Sequence, residues 1–305
     1  MKDEIMNTRL PKYKDKYKIT DLKGLSAKCD MFIFKEQVIQ KKDNPKTIFI
    51  TAYHGNIGVE YFIDKVLPTI KNKFNLVIGS EDYSFPLGIY DVRKNQYKYL
   101  KKKIFEILFK NEYLNKIFVE NCDIIHEKCI PIPLGLLNTK NIFYKKYLNY
   151  YPEKIEKRKV KMFCCHRIHN DSGQFDERKD VTKLCLNEWK KFCVHYEQLT
   201  QIEFLAMMRN SQFTICVHGG GIDTCPRLWE AMLVGSIPIV RSHPIMNKIY
   251  KEFPVIVIVE KWEDITFEKL QLWIQEKKIY YENKIKREKM IEKLKLKYWW
   301  NKILL

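Results

Sequence analysis

Residues 212–262 decide the fold, and they read QFTICVHGGGIDTCPRLWEAMLVGSIPIVRSHPIMNKIYKEFPVIVIVEKW. The apolar run 213–217 leads into three consecutive glycines, Gly219, Gly220 and Gly221, and a helix-like run follows them. A second apolar run (236–240) and a third (255–259) come later, with a helical stretch over 243–251 between them. Short β-rich runs alternating with helical segments predict a parallel α/β layer. In such layers ligands bind beyond the carboxyl ends of the strands, where these glycines are expected to lie.

The residues after the glycines sharpen that reading. Asp223 or Thr224 can cap a helix, Pro226 suits its first turn, and Gly235 is placed to end it. The helix N-terminus then offers free N–H groups and the positive end of a dipole to an anionic ligand. Arg227 in the first turn adds a planar cation suited to phosphate oxygens. Glu230, one turn on, can accept hydrogen bonds from ribose hydroxyls, while Trp229, Met232 and Leu233 supply the buried side. Without the glycine turn, Arg227 and Glu230 read as an ordinary i,i+3 surface ion pair.

This block resembles the donor-binding end of the exostosin-like glycosyltransferases and of related short glycosyltransferases found in viruses, bacteria and protists. The resemblance rests on Gly221, Ile222, Asp223, Thr224, Cys225, Pro226, Arg227, Leu228, Trp229, Glu230 and Ala231, then Gly235, Ile237, Pro238, Ile239 and Val240. It continues through Ile249, Tyr250, Phe253, Pro254, Val255, Trp262, Ile265 and Thr266. Upstream, residues 76–86 (LVIGSEDYSFP) are similar to the family's strand and Ser-Asp-x-Ser-x-Pro segment, which places Asp82, Ser84 and Pro86. Residues 119–136 (VENCDIIHEKCIPIPLGL) match its Asn-containing segment, and 162–178 (MFCCHRIHNDSGQFDER) its strand, loop and arginine, which falls on Arg178. Two departures stand out. His218 occupies a position where relatives usually carry Pro, and the Asp-to-Arg spacing is longer by one residue because Thr224 and Cys225 are both present, which leaves a catalytically inactive nucleotide-sugar- or glycan-binding relative as the alternative.

The resemblance implies the GT-B fold, two Rossmann-like parallel-sheet domains about a central cleft, and sugar transfer from a nucleotide-diphosphate donor to a glycan or related hydroxyl acceptor with inversion. It places donor binding at Gly219, Gly220, Gly221, Asp223, Arg227, Glu230 and Arg178, with Arg167 as a second arginine near the phosphates. Asp82, and His54 at the end of the first confident strand, are the catalytic candidates. A carboxylate or imidazole at a strand's carboxyl end can serve as the base for the acceptor hydroxyl. The chain contains no Asp-x-Asp element, so a metal-independent mechanism is expected, with no cofactor and no metal.

Composition sets the bounds. A chain of 305 residues with 46% hydrophobic content can bury real cores and suits two domains. The net charge of +18 attracts polyanions, so nucleic acid is the competing partner. Yet the lysines are scattered, and neither zinc-finger spacing, basic heptads nor an aromatic RNA-binding signature accompanies them, so no specific nucleic acid is expected. Nine cysteines without regular spacing argue against a disulfide framework and for reduced, buried thiols. His126, His166, His169 and His195 show no metal-ligand spacing along the chain. The polar start of the chain carries no secretory signal and no apolar run approaches the ~20 residues that span a bilayer, so a cytoplasmic location is expected.

Along the chain, strands are expected at 31–34 (as an edge strand), 47–52, 75–79, 130–134, 160–165 and 192–194, with helices at 60–70, 94–110, 178–191 and 201–210. Residues 53–56 (YHGN) read as a loop and 144–158 as the interdomain connection. The expected domains are an acceptor-side α/β domain over 1–155, a nucleotide-sugar domain over 156–275 and a basic C-terminal helix over 276–305. That helix ends YWWNKILL. It either packs back on the first domain or gives peripheral membrane contact.

Overall fold

The structure is a computed structural model describing residues 4–10, 15–51, 53–80, 82–89, 98–136, 141–148, 150–168, 176–223 and 226–305, of which 53–56, 98, 99, 141–143 and 145 are described in backbone only. The strands are β1 (Met31–Phe34), β2 (Gln37–Gln40), β3 (Thr47–Thr51), β4 (Phe74–Gly79), β5 (Leu114–Val119), β6 (Cys129–Pro131), β7 (Val160–Cys165), β8 (Cys193–Tyr196), β9 (Ser211–Ile215), β10 (Ile237–Arg241) and β11 (Val257–Val259). The helices are α1 (Gly24–Lys28), α2 (Tyr53–Tyr61), α3 (Lys98–Lys103), α4 (Asn141–Leu148), α5 (Asp176–Leu186) and α6 (Gln201–Asn210). They continue with α7 (Pro226–Val234), α8 (Asn247–Tyr250), α9 (Phe267–Lys277), α10 (Ile279–Glu282), α11 (Lys284–Leu294) and α12 (Leu296–Leu304).

The chain divides into two compact units. The first comprises Met1–Thr139, Gly220–Asp223 and Lys295–Leu305; the second comprises Lys140–Gly219 and Thr224–Leu294. Both are thus discontinuous in sequence, which a division at single boundaries does not anticipate. The expected basic tail splits as well: α10 and α11 belong to the second unit and α12 to the first.

The first unit holds a six-stranded sheet in the order β2-β1-β3-β4-β5-β6, parallel except for the β1–β2 hairpin. β3 and β4 are buried along their whole length, which fits central parallel strands covered on both faces. β2 (QVIQ) alternates between half-buried and exposed and forms the edge, so β1 is an inner strand. Residues 53–56 open α2, where a loop is expected; the helix runs on through a π-helical turn to Val66 and a tighter turn to Thr69. Its hydrophobic side places Val59, Phe62 and Ile63 in the core. α12 packs on α1 and buries Trp299 and Ile303, and the Ile303 carbonyl accepts a hydrogen bond from Asn75 Nδ2 at 2.6 Å.

The second unit holds a five-stranded, wholly parallel sheet in the order β11-β10-β9-β7-β8. From β7 the chain adds β8 on one side, then crosses to place β9, β10 and β11 on the other. The strand order therefore reverses between β7 and β9, and the crevice at their carboxyl ends is the expected ligand position of such a sheet. α7 is buried from Leu228 to Val234, with Trp229 edge-on to Phe253 at 5.3 Å between ring centres. Gly235 ends it at φ +94°, and a Cβ there would stand 2.5 Å from Pro152 Cβ. The buried Arg287 of α11 caps the same end, donating to the Met232 and Leu233 carbonyls at 2.6 Å each. Among the described residues, no helix is long and apolar enough to cross a membrane.

Candidate functional site

At the carboxyl ends of β7 and β9 the second unit gathers the residues that follow those strands. Arg227, in the first turn of α7, has its guanidinium carbon 6.0 Å from the centre of the Phe204 ring. Its Nε and Nη1 are buried and have no hydrogen-bond partner. A buried cationic donor without an acceptor is costly unless a ligand completes it. His166 follows β7 and is fully enclosed; burial and then the Arg227 charge push its imidazole down to about 3, so it is neutral at physiological pH.

Glu230 does not share an exposed face with Arg227. The first turn of α7 lies at the sheet rim, but one turn later the helix is enclosed on all sides, and Glu230 is only 6% exposed. Its Oε1 accepts from Tyr144 Oη at 2.6 Å and from Gln201 Nε2 at 3.1 Å, and burial raises its carboxyl above the ordinary range. Arg178 is also turned inward: Nε donates to the His218 carbonyl at 3.0 Å and Nη1 to the Arg167 carbonyl at 2.9 Å. It braces the loops after β7 and β9 through their backbones, while the Arg167 side chain is exposed.

Glu177, beside Arg178 on α5, ties together the other loops of this rim. It accepts from His218 Nδ1 at 2.9 Å, His218 N at 3.0 Å, Trp262 Nε1 at 3.0 Å and Arg241 Nε at 2.7 Å. Burial opposes its ionisation, but the His218 hydrogen bonds and the His218 and Arg241 charges outweigh burial and hold it down at about 2. His243, edge-on to His218 at 6.1 Å, is lowered to about 4, first by burial and then by the neighbouring positive charges. Glu177 therefore ties the end of β10 to the segments after β9 and β11 with one carboxylate.

In the first unit the carboxyl ends of β4 and β5 carry acids. Asp82 Oδ1 and Glu120 Oε1 share Arg9 Nη2 at 2.5 and 2.9 Å. Asp82 remains half exposed, whereas Glu120 is enclosed. Glu120 Oε2 accepts from Thr8 Oγ1 at 2.5 Å and from Ser80 N at 2.7 Å. Burial pushes the Glu120 carboxyl above the ordinary range against the pull of Arg9. His54 sits in the first turn of α2 rather than a loop, and its side chain lies outside what is described.

The glycine turn is divided between the units, with Gly219 in the second and Gly220–Asp223 in the first. A Cβ on Gly220 would lie 2.8 Å from Asp82 Cγ, and one on Gly221 2.6 Å from Asn121 Cγ. These two glycines allow close approach to protein side chains, a structural use of the property that made them ligand candidates. Asn121 Oδ1 accepts from Ile222 N at 2.9 Å and Asp223 N at 3.0 Å, and Asp223 Oδ2 accepts from Leu134 N at 2.8 Å. Asp223 is thereby buried, locking the turn by its carboxylate.

Sequence alone does not single out Arg9, Glu120 or Glu177, nor the packing of the His166 ring edge-on to His195 at 5.6 Å between centres. Only Glu120 had a local signal, as an acid directly following an apolar strand. No known protein-family profile matches this chain, and no curated protein matches it.

Proposed function

We propose that this chain is a GT-B-type glycosyltransferase that moves a sugar from a nucleotide-diphosphate donor to a hydroxyl of a glycan or similar acceptor. The observation that carries the reading is Arg227, a half-buried side chain whose buried Nε and Nη1 lack an acceptor, at the start of a helix beside the switch point of a parallel sheet. That arrangement suits a diphosphate, whose charge grows as the sugar departs. In this reading Arg227 and the α7 N-terminus neutralise the leaving group, and Arg178 holds the loops after β7 and β9 that shape the donor site. The half-exposed Asp82 takes the acceptor proton, with Glu120 behind it on Arg9; inversion follows from the family resemblance.

A thermal-shift panel of nucleotide diphosphates and nucleotide sugars tests the reading, since a ligand at ~100 times its Kd adds about 2.7 kcal/mol of apparent stability. At least one diphosphate should raise the melting temperature of the wild type and leave Arg227→Ala unmoved. Duplex and single-stranded DNA form the opposing arm, with only weak binding expected, lost near physiological salt. Submicromolar DNA affinity at that salt with no nucleotide response would replace the transferase reading by a nucleic-acid one.

A further inference from the structure

Two Cys-x-His pairs lie side by side in the second unit: Cys164 and His166 at the end of β7, and Cys193 and His195 in β8. Side chains two apart on a strand share a face, and the parallel register sets Cys164 opposite His195. The result is a cluster in which Cys164, His166 and His195 each offer a ligand atom within 4.8 Å of the others. We propose that this cluster binds a thiophilic divalent metal ion, Zn²⁺ first among them, through the Cys164 thiolate and the two imidazoles.

Three observations point to a metal rather than to incidental packing. The first is tautomeric: His166 Nε2 lies 3.0 Å from the Arg178 carbonyl, which can only accept, so Nε2 carries the proton. Nδ1 is then a bare lone pair, and it stands 3.4 Å from Cys164 Sγ. Zinc bonds of about 2.3 Å to sulfur and about 2.0–2.1 Å to nitrogen set those atoms roughly 3.5 Å apart in a tetrahedron. The second is that His195 Nε2 is buried and has no hydrogen-bond partner. The third is the outer support of His166, whose Nε2 also meets Thr182 Oγ1 at 2.9 Å, the kind of contact that orients a metal-bound imidazole.

One thiolate with two imidazoles is a donor set suited to zinc, with a fourth position left for water or a further thiol. Cys185 is a protein candidate, hydrogen-bonded to Cys164 and 3.7 Å from Cys193 Sγ. Arg227 lies close enough to act on both Cys164 and His166, and its positive charge lowers the affinity of the site for a cation. The site stands on its own residues and does not depend on the transferase reading.

The test strips the purified full chain with a chelator, titrates it with Co²⁺ and follows the visible spectrum beside far-ultraviolet circular dichroism. One equivalent should give the intense visible bands of tetrahedral cobalt and a thiolate charge-transfer band, both removed by Zn²⁺. His195 is partly exposed, so His195→Gln should keep the dichroism and weaken Co²⁺ binding by at least about 100-fold. Cys164→Ser should abolish the charge-transfer band. Because Cys164 is fully buried and its substitution can cost the fold, His195→Gln decides the outcome. Arg227→Gln should tighten binding. A spectrum of six-coordinate cobalt only, or tetrahedral bands that survive His195→Gln, overturns the proposal.

Discussion

The carboxyl ends of the two sheets solve opposite electrostatic problems. In the first unit, two carboxylates converge on Arg9, so the rim of β4 and β5 is compensated by its own chain. In the second, the rim carries Arg227, Arg241, His166, His218 and His243, and the Glu177 carboxylate there is engaged by His218, Arg241 and Trp262. Arg227 and Glu230 attract one another, yet two buried nitrogens of Arg227 have no acceptor. A rim complete in itself can polarise or deprotonate a neutral group, whereas one short of negative charge is suited to an anion.

The sharpest way to break this contrast is to remove the cation that lacks an acceptor. Arg227→Ala should lower transfer turnover by about 10²–10³-fold, the scale of losing one preorganised oxyanion donor, with the melting temperature little changed. Unchanged turnover would make the second rim as self-contained as the first.

Glu177 allows the internal pairing of that rim to be weighed. Its folded pKa of about 2 lies below the usual 4.5, so its contribution is fully present above pH 4.5 and is lost as pH falls through 2. The shift corresponds to about 3 kcal/mol. Glu177→Gln should cost about that much in urea unfolding at pH 7, and the gap from wild type should narrow between pH 4.5 and 2. A gap independent of pH would mean that Glu177 acts by packing alone.

On the first rim, Gly221→Ala forces a methyl against Asn121 and should cost about 1–3 kcal/mol, the usual range for overpacking. Full stability in thermal melts would show that the turn has room to spare. The smallest effect is expected from EDTA, which should leave transfer intact if the helix N-terminus and Arg227 neutralise the leaving group. Loss of transfer that Mn²⁺ alone restores would break that mechanism, while restoration by Zn²⁺ alone would direct attention to Cys164, His166 and His195.

Sequence alone reached a good part of this architecture, for physical reasons. β3, β4 and β7 carry apolar centres (48–50, 76–78 and 162–165), and α6 announces itself by Thr200 and Glu203, which form a capping box. β2 escaped because QVIQ is short and its two apolar residues are adjacent, with no alternation in the letters. Residues 53–56 read as a loop because Gly55 and Asn56 are poor helix formers, yet α2 begins there with the core side of the helix following. The inward turn of Glu230 depends on Tyr144 and Gln201, which are 86 and 29 residues away in the chain. The Cys-x-His pairs were visible as letters, but only strand register sets Cys164 beside His195.

The placement of Gly220–Asp223 and Lys295–Leu305 in the first unit has a consequence for synthesis. A ribosome that has released residues 1–139 has made all six strands of that sheet, but neither the turn locked by Asn121 nor the helix that buries Trp299 and Ile303. Asn121 must wait about a hundred residues for its backbone partners, and Asn75 waits 228 residues for the Ile303 carbonyl. At roughly 5–20 residues per second that second wait is on the order of 10–50 s. The sheet of the first unit therefore emerges well before the turn and the helix that complete it.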